Sequence, residues 1–193
     1  MRSSGSTHNP RRSAPLRLYI VLAGEDHPKA CTGRRLIRWG RVVRIARERA
    51  ASPSPVILDP YAPTPLSGAD FEVAARGGVL AVDCSWNRLS ARGAFPGAER
   101  HERTQGIRRR LPMLVATNPQ HYGRVAELNT AEALAAALYV LGRRDDAAGL
   151  LAGFAGGEEF LEVNRDRLER YRRSVSASEV TQAEKSLFGA NSD

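Results

Sequence analysis

Apolar residues fall into short continuous runs as far as Ala116 and into helical spacing beyond it. Leu16-Arg17-Leu18-Tyr19-Ile20-Val21-Leu22, closed by Gly24, predicts a buried strand. Val42-Val43-Arg44-Ile45 predicts a second, and Val56-Ile57-Leu58, stopped by Asp59-Pro60, a third. Ser67-Gly68-Ala69-Asp70 has capping-box spacing for a short helix that Gly77-Gly78 ends. Val79-Leu80-Ala81-Val82 is the clearest strand, and Leu111-Pro112-Met113-Leu114-Val115-Ala116 is read as the fifth. Strands separated by helices or long crossovers predict an α/β fold with a parallel sheet covered on both faces.

After Asn118-Pro119 the period changes. Leu134, Leu138 and Leu141, with alanines between them, predict an amphipathic helix from Thr130 to Gly142, capped by Asn129 with Glu132 answering it. A second helix runs through Leu150, Leu151 and Phe154 and ends at Gly156-Gly157; a third runs from Asn164 to Arg172. The predicted organisation is a disordered basic arm (1–14), an α/β domain (15–117), an all-helical domain (118–174) and a weakly structured tail (175–193).

Composition narrows the function. No apolar stretch approaches the ~20 residues needed to cross a bilayer, and the first residues carry no secretory pattern, so the expectation is a cytoplasmic protein without a membrane partner. The two cysteines, Cys31 and Cys84, form no CxxC pair. His27 and Cys31 are four apart, but two further ligands are lacking nearby, so no metal is expected. The net charge is +8 and it is segregated: residues 1–50 hold 12 basic against 3 acidic residues. Of the 29 cations, 27 are arginine, whose planar fork pairs with phosphate oxygens. That asymmetry favours a nucleic-acid partner over a merely solvated surface.

No P-loop, GxGxxG or GxSxG pattern is present. Two groups stand out. Asp83-Cys84-Ser85-Trp86 follows the best strand, where ligands bind in open parallel sheets, although a core plug and a turn cap explain the same residues. Thr117-Asn118-Pro119-Gln120-His121-Tyr122-Gly123 is rich in turn formers and hydrogen-bonding groups, as a ligand-wrapping loop or an interdomain connection would be. Thr130, at a helix start, is a cap or a ligand contact.

Read together, the motifs resemble a known family. They are His27-Pro28-Lys29-Ala30-Cys31-Thr32-Gly33-Arg34-Arg35-Leu36, Leu66-Ser67-Gly68-Ala69-Asp70, Val82-Asp83-Cys84-Ser85-Trp86, Leu111 to Pro119 with Tyr122-Gly123, Leu128-Asn129-Thr130-Ala131-Glu132-Ala133 and Phe160-Leu161-Glu162-Val163-Asn164. In this order they are similar to the aminocarboxypropyltransferases of small-subunit ribosomal RNA from archaea and eukaryotes. Gly68 and Thr117 depart from residues common in that family, within otherwise intact motifs.

The resemblance implies a SPOUT-like parallel sheet with a deep trefoil knot, then an all-α C-terminal domain. It implies S-adenosylmethionine as donor and a uridine or (N1-methyl)pseudouridine of small-subunit rRNA, or of a pre-ribosomal particle, as acceptor. By motif, Thr32 reaches the donor ribose beside backbone near Val82 and Leu111. Leu111, Leu114 and the loop to Ala126 border the adenine, and Thr130 holds the donor carboxylate. Trp86 packs on the sulfonium methyl group, and Asp83 faces the acceptor base. Arg34, Arg35, Arg38, Arg41 and Arg44 are expected to line the approach and bind RNA phosphates, with Arg103 to Arg110 as a second strip. A monomer is expected. The competing readings are a SPOUT-type RNA methyltransferase and a non-catalytic ribosome-assembly protein.

Overall fold

The computed structural model describes residues 14–22, 31–46, 51, 53–84, 86 and 106–189; the basic arm lies outside them, apart from its last residue. Five strands, β1 (Leu18–Leu22), β2 (Val43–Arg44), β3 (Val56–Leu58), β4 (Val79–Asp83) and β5 (Ile107–Arg109), form one sheet of order β2-β1-β4-β3-β5. Every pairing is parallel. The uninterrupted apolar character of β1, β3 and β4 follows from burial on both faces. At the centre β1 and β4 run in register from Leu18 opposite Val79 to Leu22 opposite Asp83. Onward from these two strands the chain goes to opposite sides of the sheet, β1 to β2 and β4 to β5. That reversal opens a crevice at their carboxyl ends.

Among the described residues the helices with both ends placed are α1 (Thr32–Arg38), α2 (Phe71–Gly77), α3 (Thr130–Val140), α4 (Arg144–Leu151), α5 (Gly157–Val163), α6 (Arg165–Arg173) and α7 (Ala177–Phe188), with a 3-10 turn at Gly68–Asp70 before α2. Gly78, at φ +83°, closes α2 as expected; a Cβ there would stand 2.5 Å from the Arg17 carbonyl oxygen. Helix α3 is buried on nearly every side rather than amphipathic. It contacts β4 and α1 as well as α4 and α6, and its alanines allow the close approach. One hydrophobic cluster consequently joins Ile20, Val56 and Val79 of the sheet to Leu134, Phe160, Leu168 and Tyr171 of the helices. Among the described residues no helix is long and apolar enough to cross a membrane.

Three further expectations are corrected. The fifth strand is Ile107–Arg109, and Leu111 to Ala116 is not a strand. Pro112 has no N–H for a ladder, whereas the arginines of β5 suit an edge strand because Arg108 pairs with Asp59 (3.1 Å) and Arg109 with Asp70 (3.0 Å). The segment after Gly156 holds an additional helix, α5, that begins where a stop was read. Gly156 sits at φ +76° with the Thr117 carbonyl oxygen 2.4 Å from where a Cβ would lie. The tail expected to be weakly structured forms α7, capped by Ser176 and burying Val180, Ala183 and Glu184. A carboxylate within the buried stripe disguised its period.

Candidate active site

A cleft of about 1030 Å³ opens at the carboxyl ends of β3, β4 and β5. Leu58 to Tyr61 border it at and just beyond the end of β3, Ala81 to Cys84 and Trp86 at and beyond the end of β4, and Arg110 to Met113 after β5. Thr32 of α1, Asn129, Thr130 and Ala133 of α3, and Gln120, His121, Arg124, Ala126 and Leu128 of the intervening loop complete it. The cleft therefore brings together Thr32, Val82, Asp83, Trp86, Leu111, Ala126 and Thr130. Leu114 stands behind the wall, fully buried; its carbonyl accepts the Ala126 N–H (2.8 Å) and helps hold Ala126 at φ +66°.

Asp83 is the node of the polar end. Buried at the tip of β4, it accepts hydrogen bonds from the Cys31 thiol (2.8 Å, to Oδ2) and the Thr130 hydroxyl (to Oδ1). Cys31 is also the N-cap of α1, taking the amide of Arg34 at 3.4 Å. One carboxylate thus ties the ends of a strand and two helices. Gly33 makes the arrangement possible, since a Cβ there would lie 2.6 Å from both Asp83 Oδ2 and Ile20 Cδ1. The half-buried Trp86 donates its indole N–H to the Leu128 carbonyl (2.8 Å), fixing the ring on the cleft wall.

The loop from Leu111 to Thr117 pairs its backbone with residues 123–126 through Leu114 and Ala116, and side chains meet the other backbone groups. Glu184 of α7 accepts the Met113 N–H (2.9 Å), and Tyr171 of α6 donates to the Met113 carbonyl (3.0 Å). Asn164, fully buried, accepts the Val115 N–H and donates to the Val115 carbonyl, both at 2.8 Å. Glu132 accepts the amide and hydroxyl of Thr117, the Asn118 side chain and the Asn129 amide (2.7–3.1 Å), while Asn129 caps its N–H in the expected box. Burial of unpaired backbone groups is costly, so these helix side chains determine where the wall stands. The Arg110 guanidinium grips Glu184 with two 2.7 Å bonds, which raise its pKa. Burial, then the charge of Glu184, pushes the Tyr171 phenol upward and keeps it neutral.

The five expected RNA-binding arginines divide, and none is on the cleft wall. Arg34, Arg38 and Arg44 are exposed. Arg35 donates to the Gly153 carbonyl (3.1 Å), and Arg41 to those of Leu150 (3.0 Å) and Ala152 (2.6 Å), at the end of α4. Both guanidiniums stack on Trp39, and Arg35 also on Phe154. In the second strip, Arg108, Arg109 and Arg110 are committed to Asp59, Asp70 and Glu184; Arg103 lies outside the described residues. The sequence reading missed the cleft residues from Leu58 to Tyr61, although a strand stopped by Asp59-Pro60 marked that edge. It also missed Cys31 and Glu132 as the groups that fasten the site.

An open parallel sheet with a large cleft at the carboxyl ends of its strands, lined by Leu111, Met113 and Ala126 as well as by Asp83, is the arrangement of a ligand-binding α/β protein. Known proteins narrow this further. Residues 56–188 match the family model described as "Ribosome biogenesis protein, C-terminal". Curated 16S rRNA aminocarboxypropyltransferases of Methanopyrus kandleri (41% identical, covering 88% of this chain and 97% of that one) and Methanosarcina acetivorans (38%, covering 90% and 95%) are similar. An 18S rRNA aminocarboxypropyltransferase of Schizosaccharomyces pombe is 37% identical over 92% of this chain and 59% of its own length. A solved structure, the SAM-dependent rRNA:acp-transferase Tsr3 from Vulcanisaeta distributa, superposes with a TM-score of 0.78 at 36% identity, covering 91% of this chain and 90% of that one. The chain belongs to the small-subunit rRNA aminocarboxypropyltransferase family. Residues 16–48 also match a model described as a possible Fer4-like domain in RNase L inhibitor. Such clusters are held by four cysteine thiolates; this segment has Cys31 alone, so its residues do not fit one.

Proposed function

We propose that this chain transfers the 3-amino-3-carboxypropyl group of S-adenosylmethionine to N3 of a uridine or (N1-methyl)pseudouridine in small-subunit ribosomal RNA. The observation that carries the reading is the position of Trp86 and Asp83 together on one cleft that Leu111, Met113 and Ala126 also line. The residues present suit the donor. Leu111, Met113 and Ala126 offer an apolar slot for adenine, and Thr32 a hydroxyl for the ribose. The N-terminus of α3 favours a carboxylate. The Thr130 hydroxyl has one proton, which goes to Asp83, so towards a ligand it presents lone pairs that suit the ammonium of the amino-acid arm.

A bound sulfonium makes each of its three attached carbons electrophilic, and orientation selects among them. An indole over the methyl group shields that carbon and favours the cation by ~0.5–2 kcal/mol. The transfer breaks the bond from sulfur to the aminocarboxypropyl carbon, forms the bond to N3, releases the N3 proton and leaves methylthioadenosine. Each oxygen of Asp83 accepts one hydrogen bond and retains lone-pair capacity with which to orient the acceptor. The exposed Arg34, Arg38 and Arg44 are the proposed phosphate contacts.

The SPOUT-like topology with its deep knot belongs to the same proposal. The β2-β1-β4-β3-β5 order and the seating of α3 against β4 and α1, after the loop over the strand ends, support it. A division into an α/β domain followed by an all-α one, and action as a monomer on small-subunit particles in the cytoplasm, are part of the same proposal.

Mass spectrometry of small-subunit rRNA incubated with the chain and donor tests the function. An aminocarboxypropyl-sized increment is expected; a methyl-sized one would establish the methyltransferase reading, and no donor binding by calorimetry a non-catalytic RNA-binding protein. In the same assay Trp86→Ala should weaken donor binding or release methyl transfer.

A further inference from the structure

The cleft wall after β5 is an arch. Backbone pairing to the sheet side ends at Arg110, whose N–H reaches the Thr64 carbonyl (3.1 Å) and whose carbonyl accepts the Leu66 N–H (2.8 Å). Leu111 and Pro112 follow, and the next fixed point is Met113. Both ends of the arch meet one side chain. Glu184 takes the Arg110 guanidinium on both oxygens, at 2.7 Å each, and the Met113 N–H at 2.9 Å on Oε1. Its side chain is 6% exposed, and it lies far along the chain on α7. Arg110, Leu111, Pro112 and Met113 all border the cleft.

We propose that Glu184 is a positioning residue for donor binding, through which the last helix clamps the adenosine-side wall of the cleft. The proposal rests on the function given above. A buried carboxylate in the apolar stripe of a helix is a poor choice for stability alone, since a hydrophobic side chain would fill the place at no desolvation cost. What it supplies is geometry. One anion sets the separation of two points on the arch, and a site held loosely by about 1 Å loses affinity. Asp83 and Trp86 are carried by β4 and the residues just after it, so the reacting end does not depend on this contact.

The test uses the full chain. With Glu184→Ala, the donor Kd by calorimetry and the donor KM should rise roughly tenfold, while kcat at saturating donor stays within about threefold, the pattern of lost uniform binding. Glu184→Gln, which can still accept from Met113 and one arginine N–H, should recover part of the affinity. Val180→Ala, a fully buried neighbour on α7, should lower the unfolding temperature while leaving the donor Kd unchanged. All measurements are made well below each variant's unfolding midpoint, and if Glu184→Ala does not fold, Glu184→Gln carries the comparison. A folded Glu184 variant with wild-type Kd, or an equal rise in Val180→Ala, would overturn the inference. A wild-type chain that fails to bind the donor would overturn the function itself and this inference with it.

Discussion

Thr130, the first residue of α3, donates its hydroxyl proton to Asp83 at the end of β4, 47 residues earlier in the chain. The bond joins the sheet to the helical half at the polar end of the cleft, and the Cys31 thiol adds α1 to the same carboxylate. Three backbone ends are thereby held relative to one another by a single buried side chain. A site that must present a flexible amino-acid arm in one orientation needs such a fixed point.

Asp83→Ala removes the carboxylate that the Thr130 hydroxyl and the Cys31 thiol share at the cleft. Stability should fall by about 1–3 kcal/mol, since a buried donor loses its acceptor. Turnover should fall further than donor affinity. Urea unfolding with single-turnover assays separates the two effects, and a variant of undiminished activity would exclude Asp83 from the chemistry.

At Gly33 even one methyl group is too large. Gly33→Ala would place a carbon 2.6 Å from the Asp83 oxygen and from Ile20. The overpacking should cost about 1–3 kcal/mol and should weaken donor binding through displacement of Asp83. Thermal unfolding and calorimetry report both; normal values for each would mean that α1 shifts without cost.

Charge reversal should separate the arginines of the basic segment. Arg34→Glu with Arg38→Glu removes exposed cations and should weaken RNA binding while sparing stability, with a shallower dependence of affinity on salt. Arg35→Glu or Arg41→Glu removes donors to the carbonyls at the end of α4 and the stacking on Trp39. Those variants should unfold at lower temperature. RNA titrations at two salt concentrations, alongside melting curves, would expose the opposite pattern.

Acid should loosen the helical half at Glu169. This carboxylate holds Arg144 (2.6 Å), Arg172 (3.0 Å) and the Tyr139 hydroxyl (2.6 Å). Burial works to raise its pKa, but the bonds from Arg172 and Tyr139 prevail and keep it below the ordinary 4.5. A depressed carboxylate stabilises the fold fully above its unfolded pKa, and that contribution is lost as pH falls through the folded value. The wild type should therefore lose stability relative to Glu169→Gln below about pH 4.5. Parallel curves for the two proteins over that range would remove Glu169 as the cause.

Much of this protein was legible in its order of residues. Continuous apolar runs gave away β1, β3 and β4 because strands buried on both faces have no polar side to hide them. The Asn129–Glu132 box, local by nature, was equally plain. Seven of the eight expected catalytic or donor-contacting residues, drawn from family motifs, meet at one cleft. The misreadings share a cause, which is that distant partners changed the meaning of local chemistry. Arg108 and Arg109 resembled a loop until Asp59 and Asp70 neutralised them on an edge strand. Glu184 concealed a helix because its partners lie more than 70 residues away. Arg35 and Arg41 counted towards a phosphate-binding strip until their guanidiniums met carbonyls beyond residue 149. By itself, then, the sequence determined β1, β3 and β4, the Asn129–Glu132 cap and the identity of the chemical groups, all set by the period and by neighbours within one turn. Which charges face solvent, which are buried as fasteners and where the cleft wall stands were decided only by the tertiary structure, because a charged side chain's role depends on the partner that replaces its water.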